Sequence, residues 1–137
     1  MNTVDVNKSR RERLGELAGK LNWQGDMQLL QQALTHPTYF EGQKSPGDED
    51  NQRLEFLGDS ILGFVVAREL FKRNPAADEG YLSKTRAALV CEGSLADLAR
   101  ELGLGDYIIM GKGSLKNGEQ NRNTSLEDSF DAVVGAM

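Results

Sequence analysis

Apolar residues recur at spacings of three and four along most of the chain, which is typical of helices that bury one face. Leu14, Leu17 and Leu21 show this spacing near the start. Very few stretches alternate apolar and polar residues as a half-buried strand would, so the pattern predicts an all-α protein. The predicted helices cover residues 9–23, 27–36, 51–74, 78–91, 94–103 and 124–137. Residues 106–110 read as a short strand or extended edge, and 41–50 and 111–123 as polar loops.

Several helix starts carry a local polar signal. Asp78 is a predicted N-cap, because a short acceptor side chain can bond the free N–H groups of a first turn. Two pairs with a spacing of three match a capping box, namely Ser94 with Asp97 and Thr124 with Glu127. The second box gives Glu127 a structural task.

The segment 51–74 is apolar on most of its faces, which predicts a central and largely buried helix. The last helix is still apolar at its end, where Val133, Val134, Ala136 and Met137 lack a following stop signal. This pattern leads us to expect a fragment that ends inside a helix or lacks a following domain.

Composition places the chain among single globular domains. It has 137 residues, of which 39% are hydrophobic and 27% charged, enough to build a core. Cys91 is the single cysteine, so neither a disulfide within one chain nor a cysteine-based zinc site can form, and its apolar neighbours predict a buried thiol. No apolar run is long enough to span a bilayer, and the polar start of the chain predicts a cytoplasmic protein.

The net charge of −5 argues against a nucleic-acid partner unless the acids gather around bound cations, which would reverse the local sign. Glu55 and Asp59 are four residues apart, about 40° around the axis and about 6 Å along it in a helix. Asp128 and Asp131 are three apart on the last helix, and Glu79 begins another. Such spacing is also common on solvated helix faces. The apolar surroundings of the first pair instead favour a crevice in which carboxylates bind Mg²⁺.

Beyond this spacing, residues 51–67, NQRLEFLGDSILGFVVA, resemble the signature of ribonuclease III. Further blocks resemble the bacterial catalytic domain in the same order: LTHPTY, DEGYLSKTRAALV, LARELGLGDYIIMGKG and SLEDSFDAVVGA. The resemblance covers about residues 10–137. It implies the all-α fold of the ribonuclease III endonuclease domain over residues 1–137, forming a symmetric homodimer, with the family's C-terminal double-stranded-RNA-binding domain absent from this chain.

The resemblance also implies roles for single residues. Glu55, Asp59, Asp128 and Asp131 correspond to the family's divalent-metal ligands, with Mg²⁺ as the expected ion and Mn²⁺ as a substitute. Asp59 and Asp131 are the expected catalytic residues. Phe56 is expected in the dimer interface.

Four further residues are expected either to support the metal ligands without binding the metal or to contact the RNA: Gln52, Glu79, Lys84 and Arg86. The implied reaction is hydrolysis of double-stranded RNA, leaving 5′-phosphate and 3′-hydroxyl ends with short 3′ overhangs. RNA processing, including that of ribosomal RNA, is the implied setting, and the protein is expected not to bind membranes.

Two departures from the family pattern leave an alternative open. Gln52 replaces an acid, and Asp131 replaces a glutamate that is longer by about 1.5 Å. We therefore expect weakened or altered activity. The alternative is an RNA-binding or scaffold dimer of the same fold that has lost turnover.

Overall fold

The computed structural model describes residues 9–137, and this part of the chain is helical. The α-helices are α1 (Arg10–Leu21), α2 (Met27–Ala33), α3 (Gln52–Arg73), α4 (Glu79–Leu89), α5 (Glu92–Glu101), α6 (Lys112–Lys116) and α7 (Asn123–Ala136). Short 3₁₀ turns cover Pro37–Tyr39, Leu104–Asp106 and Glu119–Asn121. In place of a strand at 106–110, a single parallel bridge joins Ile109 to Thr35 within residues 9–137. The all-α prediction is confirmed.

The core is centred on α7, which packs against α3, α5 and α2. The fully buried side chains of the core include Leu17, Leu30, Leu34, Leu104 and Leu126. None of the helices within residues 9–137 combines the length and the apolar character needed to cross a membrane.

Helix α3 lies at the surface of the protomer, so the prediction of a largely buried helix is wrong for the single chain. Gly58 is its only buried residue. Phe56, Phe64 and Phe71 are 78%, 68% and 73% exposed. One side of α3 packs on α7 and α4, and within residues 9–137 no further helix packs extensively on its other apolar faces. Periodicity reports that a face is apolar, but it does not report whether the same chain covers it.

The start of α3 is anchored to the end of α2. Asn51 is buried, its backbone N–H donates to the carbonyl of Thr35 at 2.9 Å, and its side-chain amide donates to the carbonyl of Ala33 at 3.3 Å. These bonds hold the first turn of α3 in one position, which fixes where its later side chains point.

The predicted helix ends are correct in part. Asp78 caps α4, and its carboxylate accepts from the N–H of Tyr81 at 2.8 Å. The box at Ser94 is wrong, because α5 begins earlier, after Cys91, and the Ser94 hydroxyl instead donates to the carbonyl of Ala88 at 2.9 Å. Cys91 is exposed rather than buried.

The second capping box is also wrong. Helix α7 follows Arg122 directly, and no side chain caps its first turn. Thr124 lies inside the helix, so Glu127 does not form the capping box that the spacing predicted. Part of the predicted loop 111–123 is helical, as α6.

Candidate metal centre

Two glycines set the crossing of α3 and α7. A Cβ built on Gly58 would lie 1.6 Å from the carbonyl oxygen of Asp131, and one on Gly135 would lie 2.2 Å from that of Leu54. Only glycine permits this approach, because any Cβ would overlap the opposite backbone. The two helices therefore meet backbone to backbone, at the level of the acids that flank Gly58.

The crossing brings Glu55 on α3 close to Asp128 on α7, so that each of these acids shifts the pKa of the other. Burial, followed by the neighbouring Asp128 carboxyl group and by the charges of Asp131 and Glu127, raises the pKa of Glu55 to about 7. Burial also raises the pKa of Asp128, against the lowering effects of Glu55 and His36. Two acids this close to each other disfavour full ionisation of both.

Asp131 is the deepest acid of the group. Its residue is 3% exposed, and its Oδ1 is buried with no hydrogen-bond partner. Burial, and then the charges of Asp59, Glu127 and Asp128, raises its pKa to about 7. A buried acceptor without a donor is costly, and a carboxylate more so than most.

The four acids that the sequence predicts as ligands are thus brought together, although the two pairs come from different helices, α3 and α7. Asp59 is exposed, Glu55 and Asp128 are half-buried, and Asp131 is buried. The solvent exposure of the four acids therefore decreases from Asp59 to Asp131. Asp59 faces outward and Asp131 lies against the core.

The other predicted site residues, Gln52, Glu79, Lys84 and Arg86, are all exposed. Gln52 is exposed on the first turn of α3. Glu79 is exposed at the start of α4, where it accepts from the Ser83 hydroxyl at 2.5 Å, and it is not among the charges that shift the pKa values of the four acids. Lys84 and Arg86 are exposed on the same helix.

Two further acids, Glu127 and Glu92, belong to this acidic group, although the sequence did not predict them as site residues. Burial raises the pKa of Glu127, and so do the charges of Glu92, Asp128 and Asp59. The spacing had given Glu127 to a capping box, and Glu92 lay outside the predicted start of α5. The packing of α5 on α7 brings Glu92 to the site, and Glu127 lies there because it directly precedes Asp128 on α7.

The donor set fits a hard divalent cation. Its atoms are carboxylate oxygens, one of them is buried and unpaired, and no Lys or Arg is among the groups that shift the pKa values of Glu55, Asp128 and Asp131. Within residues 9–137, no three His, Cys, Asp or Glu side chains are already arranged to hold an ion. Glu55 and Asp128 instead lie next to each other, and a cation bound there would offset the repulsion between their charges.

A family model described as Ribonuclease-III-like matches residues 26–137. The chain belongs to the ribonuclease-III-like family. Ribonuclease 3 of Methylococcus capsulatus is 52% identical over 112 residues, which are 82% of this chain and 46% of that protein. Ribonuclease 3 of Symbiobacterium thermophilum is 50% identical over 112 residues, with the same shares of 82% and 46%. The chain therefore spans about half the length of the curated relatives it matches.

Solved structures in the family have the same fold. One structure of the nuclease domain of ribonuclease III from Campylobacter jejuni, described for flexibility in a region involved in dimer formation, gives a TM-score of 0.81 at 40% identity, over 90% of this chain and 82% of that one. A second structure of that domain gives 0.79 at 40% identity, over 89% and 80%. The predicted family and fold are confirmed.

Proposed function

We propose that this chain is the nuclease domain of an endoribonuclease that hydrolyses phosphodiester bonds of double-stranded RNA with bound Mg²⁺, for which Mn²⁺ can substitute. Family membership supports the class of reaction. The observation that carries the proposal is the approach of Glu55 and Asp59 to Asp128 and Asp131 at the glycine crossing, with no Lys or Arg of residues 9–137 among the groups that shift the pKa values of Glu55 and Asp131.

In this proposal Glu55, Asp59, Asp128 and Asp131 are the metal ligands. Bound divalent cations would supply an activated water and neutralise charge on the phosphate. Asp131 would hold its oxygen in position through burial, since its side chain is 3% exposed. Asp59 would act at the open side, where an RNA phosphate can approach because this residue is exposed.

The exposed apolar face of α3 supports a homodimer in which Phe56 contacts the partner. Apolar side chains grouped on one surface are typical of association sites. Each protomer would cut one strand, leaving 5′-phosphate and 3′-hydroxyl ends with short 3′ overhangs. Processing of ribosomal and other RNA in the cytoplasm is part of the proposal. Gln52, Glu79, Lys84 and Arg86 would contact RNA or support the ligands from the rim of the site.

A scaffold dimer without turnover is the second candidate. Gln52 favours it, because a neutral amide stands where the family pattern has an acid. Asp131 favours it as well, because a short side chain in a buried position has limited reach.

Cleavage of a labelled RNA duplex in Mg²⁺, with EDTA as the control, separates the two candidates. We expect EDTA-sensitive cutting that falls about a hundredfold or more in Asp59→Asn and in Asp131→Asn, as loss of a group that stabilises the transition state does. Asp97→Asn, at an exposed position on α5, is the matched control and should cut like the wild type. Duplex binding with no EDTA-sensitive cutting would support the scaffold and overturn the nuclease.

A further inference from the structure

Glu127 has no structural task that accounts for its position. It lies on α7, whose first turn carries no side-chain cap. It precedes Asp131 by four residues, so the two side chains project from the same face of the helix. That face meets α3 at the glycine crossing.

The surroundings of Glu127 are acidic. The groups that raise its pKa besides burial are Glu92, Asp128 and Asp59, and no Lys, Arg or His is among them. An acid on a solvated surface usually lies away from other acids or beside a basic side chain. Glu127 is half-buried, and the charges of three other acids act on it, an arrangement that a bound cation would relieve.

An independent observation indicates that a ligand belongs here. Asp131, one turn further along the same face, is 3% exposed and has a buried Oδ1 without a hydrogen-bond partner. Its short side chain is buried where α7 crosses the backbone of α3 at Gly58. Glu127 is one methylene longer and less buried than Asp131, and the charge of Asp59 acts on both residues.

We propose that Glu127 is a further carboxylate ligand of the divalent-cation site, acting with Asp59 and Asp131 and reaching outward from α7 where Asp131 cannot. This inference rests on the proposed function, since it concerns the same cations. It makes α7 the source of three ligands, from residues 127, 128 and 131, in place of two. Glu92 contributes negative charge from α5 without being needed as a ligand.

Binding of Mn²⁺ alone to the full chain tests the proposal without any measurement of cleavage. Manganese EPR and calorimetry give the affinity and the number of ions for the wild type and for Glu127→Gln. Of the Mn²⁺ ions that the wild type binds, we expect the variant to bind the lowest-affinity one at least about tenfold less tightly, as loss of a group in a metal site does. Glu101→Gln, at the opposite end of α5 from Glu92, is the control and should bind like the wild type.

A second variant separates ligation from a general effect of charge. Glu127→Asp keeps the charge and shortens the side chain by about 1.5 Å. If Glu127 is a ligand, Glu127→Asp should lose affinity as Glu127→Gln does. Wild-type affinity in Glu127→Asp, or in both variants, would overturn the proposal. The thermal midpoint in EDTA should not fall in either variant, because like-charge repulsion is relieved or unchanged.

The two proposals fail in different ways. A wild type that binds Mn²⁺ and cuts duplex RNA, with Glu127 variants of unchanged affinity, would overturn only the role of Glu127. A wild type that binds no Mn²⁺ would overturn both.

Discussion

Gly58 on α3 and Asp131 on α7 are in backbone contact: a Cβ on the glycine would lie 1.6 Å from the aspartate's carbonyl oxygen. The same aspartate carries the buried, unpaired carboxylate oxygen of the candidate metal centre. Packing and the candidate chemistry therefore depend on the same few atoms. A change at Gly58 should affect both.

We expect Gly58→Ala to lower the free energy of unfolding by about 3 kcal/mol or more, because the methyl group must push the two helices apart. Urea denaturation in EDTA measures this change. Gly15→Ala on α1 is the control, since a Cβ there meets nothing within 4 Å. It should gain about 0.5–1 kcal/mol from helix propensity. Equal effects of the two changes would contradict the close approach of α3 and α7.

Metal-free stability should fall as pH rises. The pKa values of Glu55 and Asp131 are raised to about 7 from ordinary values of 4.5 and 3.8. The folded chain therefore holds these protons more tightly than the unfolded chain does. This contribution to stability is fully present below about pH 4 and is lost as pH rises through 7.

Thermal unfolding measures this effect. In EDTA we expect a midpoint roughly 2–5 °C lower at pH 8 than at pH 5.5, and Mg²⁺ should restore it at pH 8. Asp131→Asn should weaken the dependence on both pH and Mg²⁺. A midpoint that rises with pH in EDTA, and does not respond to Mg²⁺, would contradict the clustering of the acids.

Lengthening the side chain at residue 131 tests whether its reach limits the reaction. We expect Asp131→Glu to speed cleavage in Mg²⁺ by about tenfold, since displacements near 1 Å matter in catalysis. The gain should be smaller in Mn²⁺, because Mg²⁺ demands stricter octahedral geometry. Asp128→Glu, a matched lengthening one turn earlier, should slow the reaction. An unchanged rate in Asp131→Glu would show that length is not limiting.

The exposed face of α3 should be the dimer interface. Phe56 is 78% exposed, so its replacement leaves the core of the protomer intact. We expect Phe56→Glu to raise the dimer dissociation constant about thirtyfold or more, as loss of an aromatic anchor does. Sedimentation equilibrium measures it. Leu98→Gln, at an apolar position of α5 that is 42% exposed, is the control. A Phe56→Glu protein that dimerises like the wild type would place the interface elsewhere.

Local signals in the sequence were reliable where a single helix satisfies them by itself. Asp78 caps α4 because the N–H groups it bonds lie within three residues. The two predicted capping boxes were wrong because both helices begin at earlier residues than the spacing indicated. Helix α5 begins after Cys91, and α7 begins after Arg122. Spacing states which partners are within reach, and packing selects among them.

The sequence by itself determined the helical class, most helix positions and, through its resemblance to ribonuclease III, the family and the four acids expected to bind metal. Apolar periodicity and motif spacing are properties of neighbouring residues, so one chain suffices to reveal them. Tertiary structure alone decided that α3 is exposed, that Gly58 and Gly135 bring two helices into backbone contact, and that Glu92 and Glu127 join the acids. These facts concern residues far apart in sequence, whose distance is set by how the helices pack.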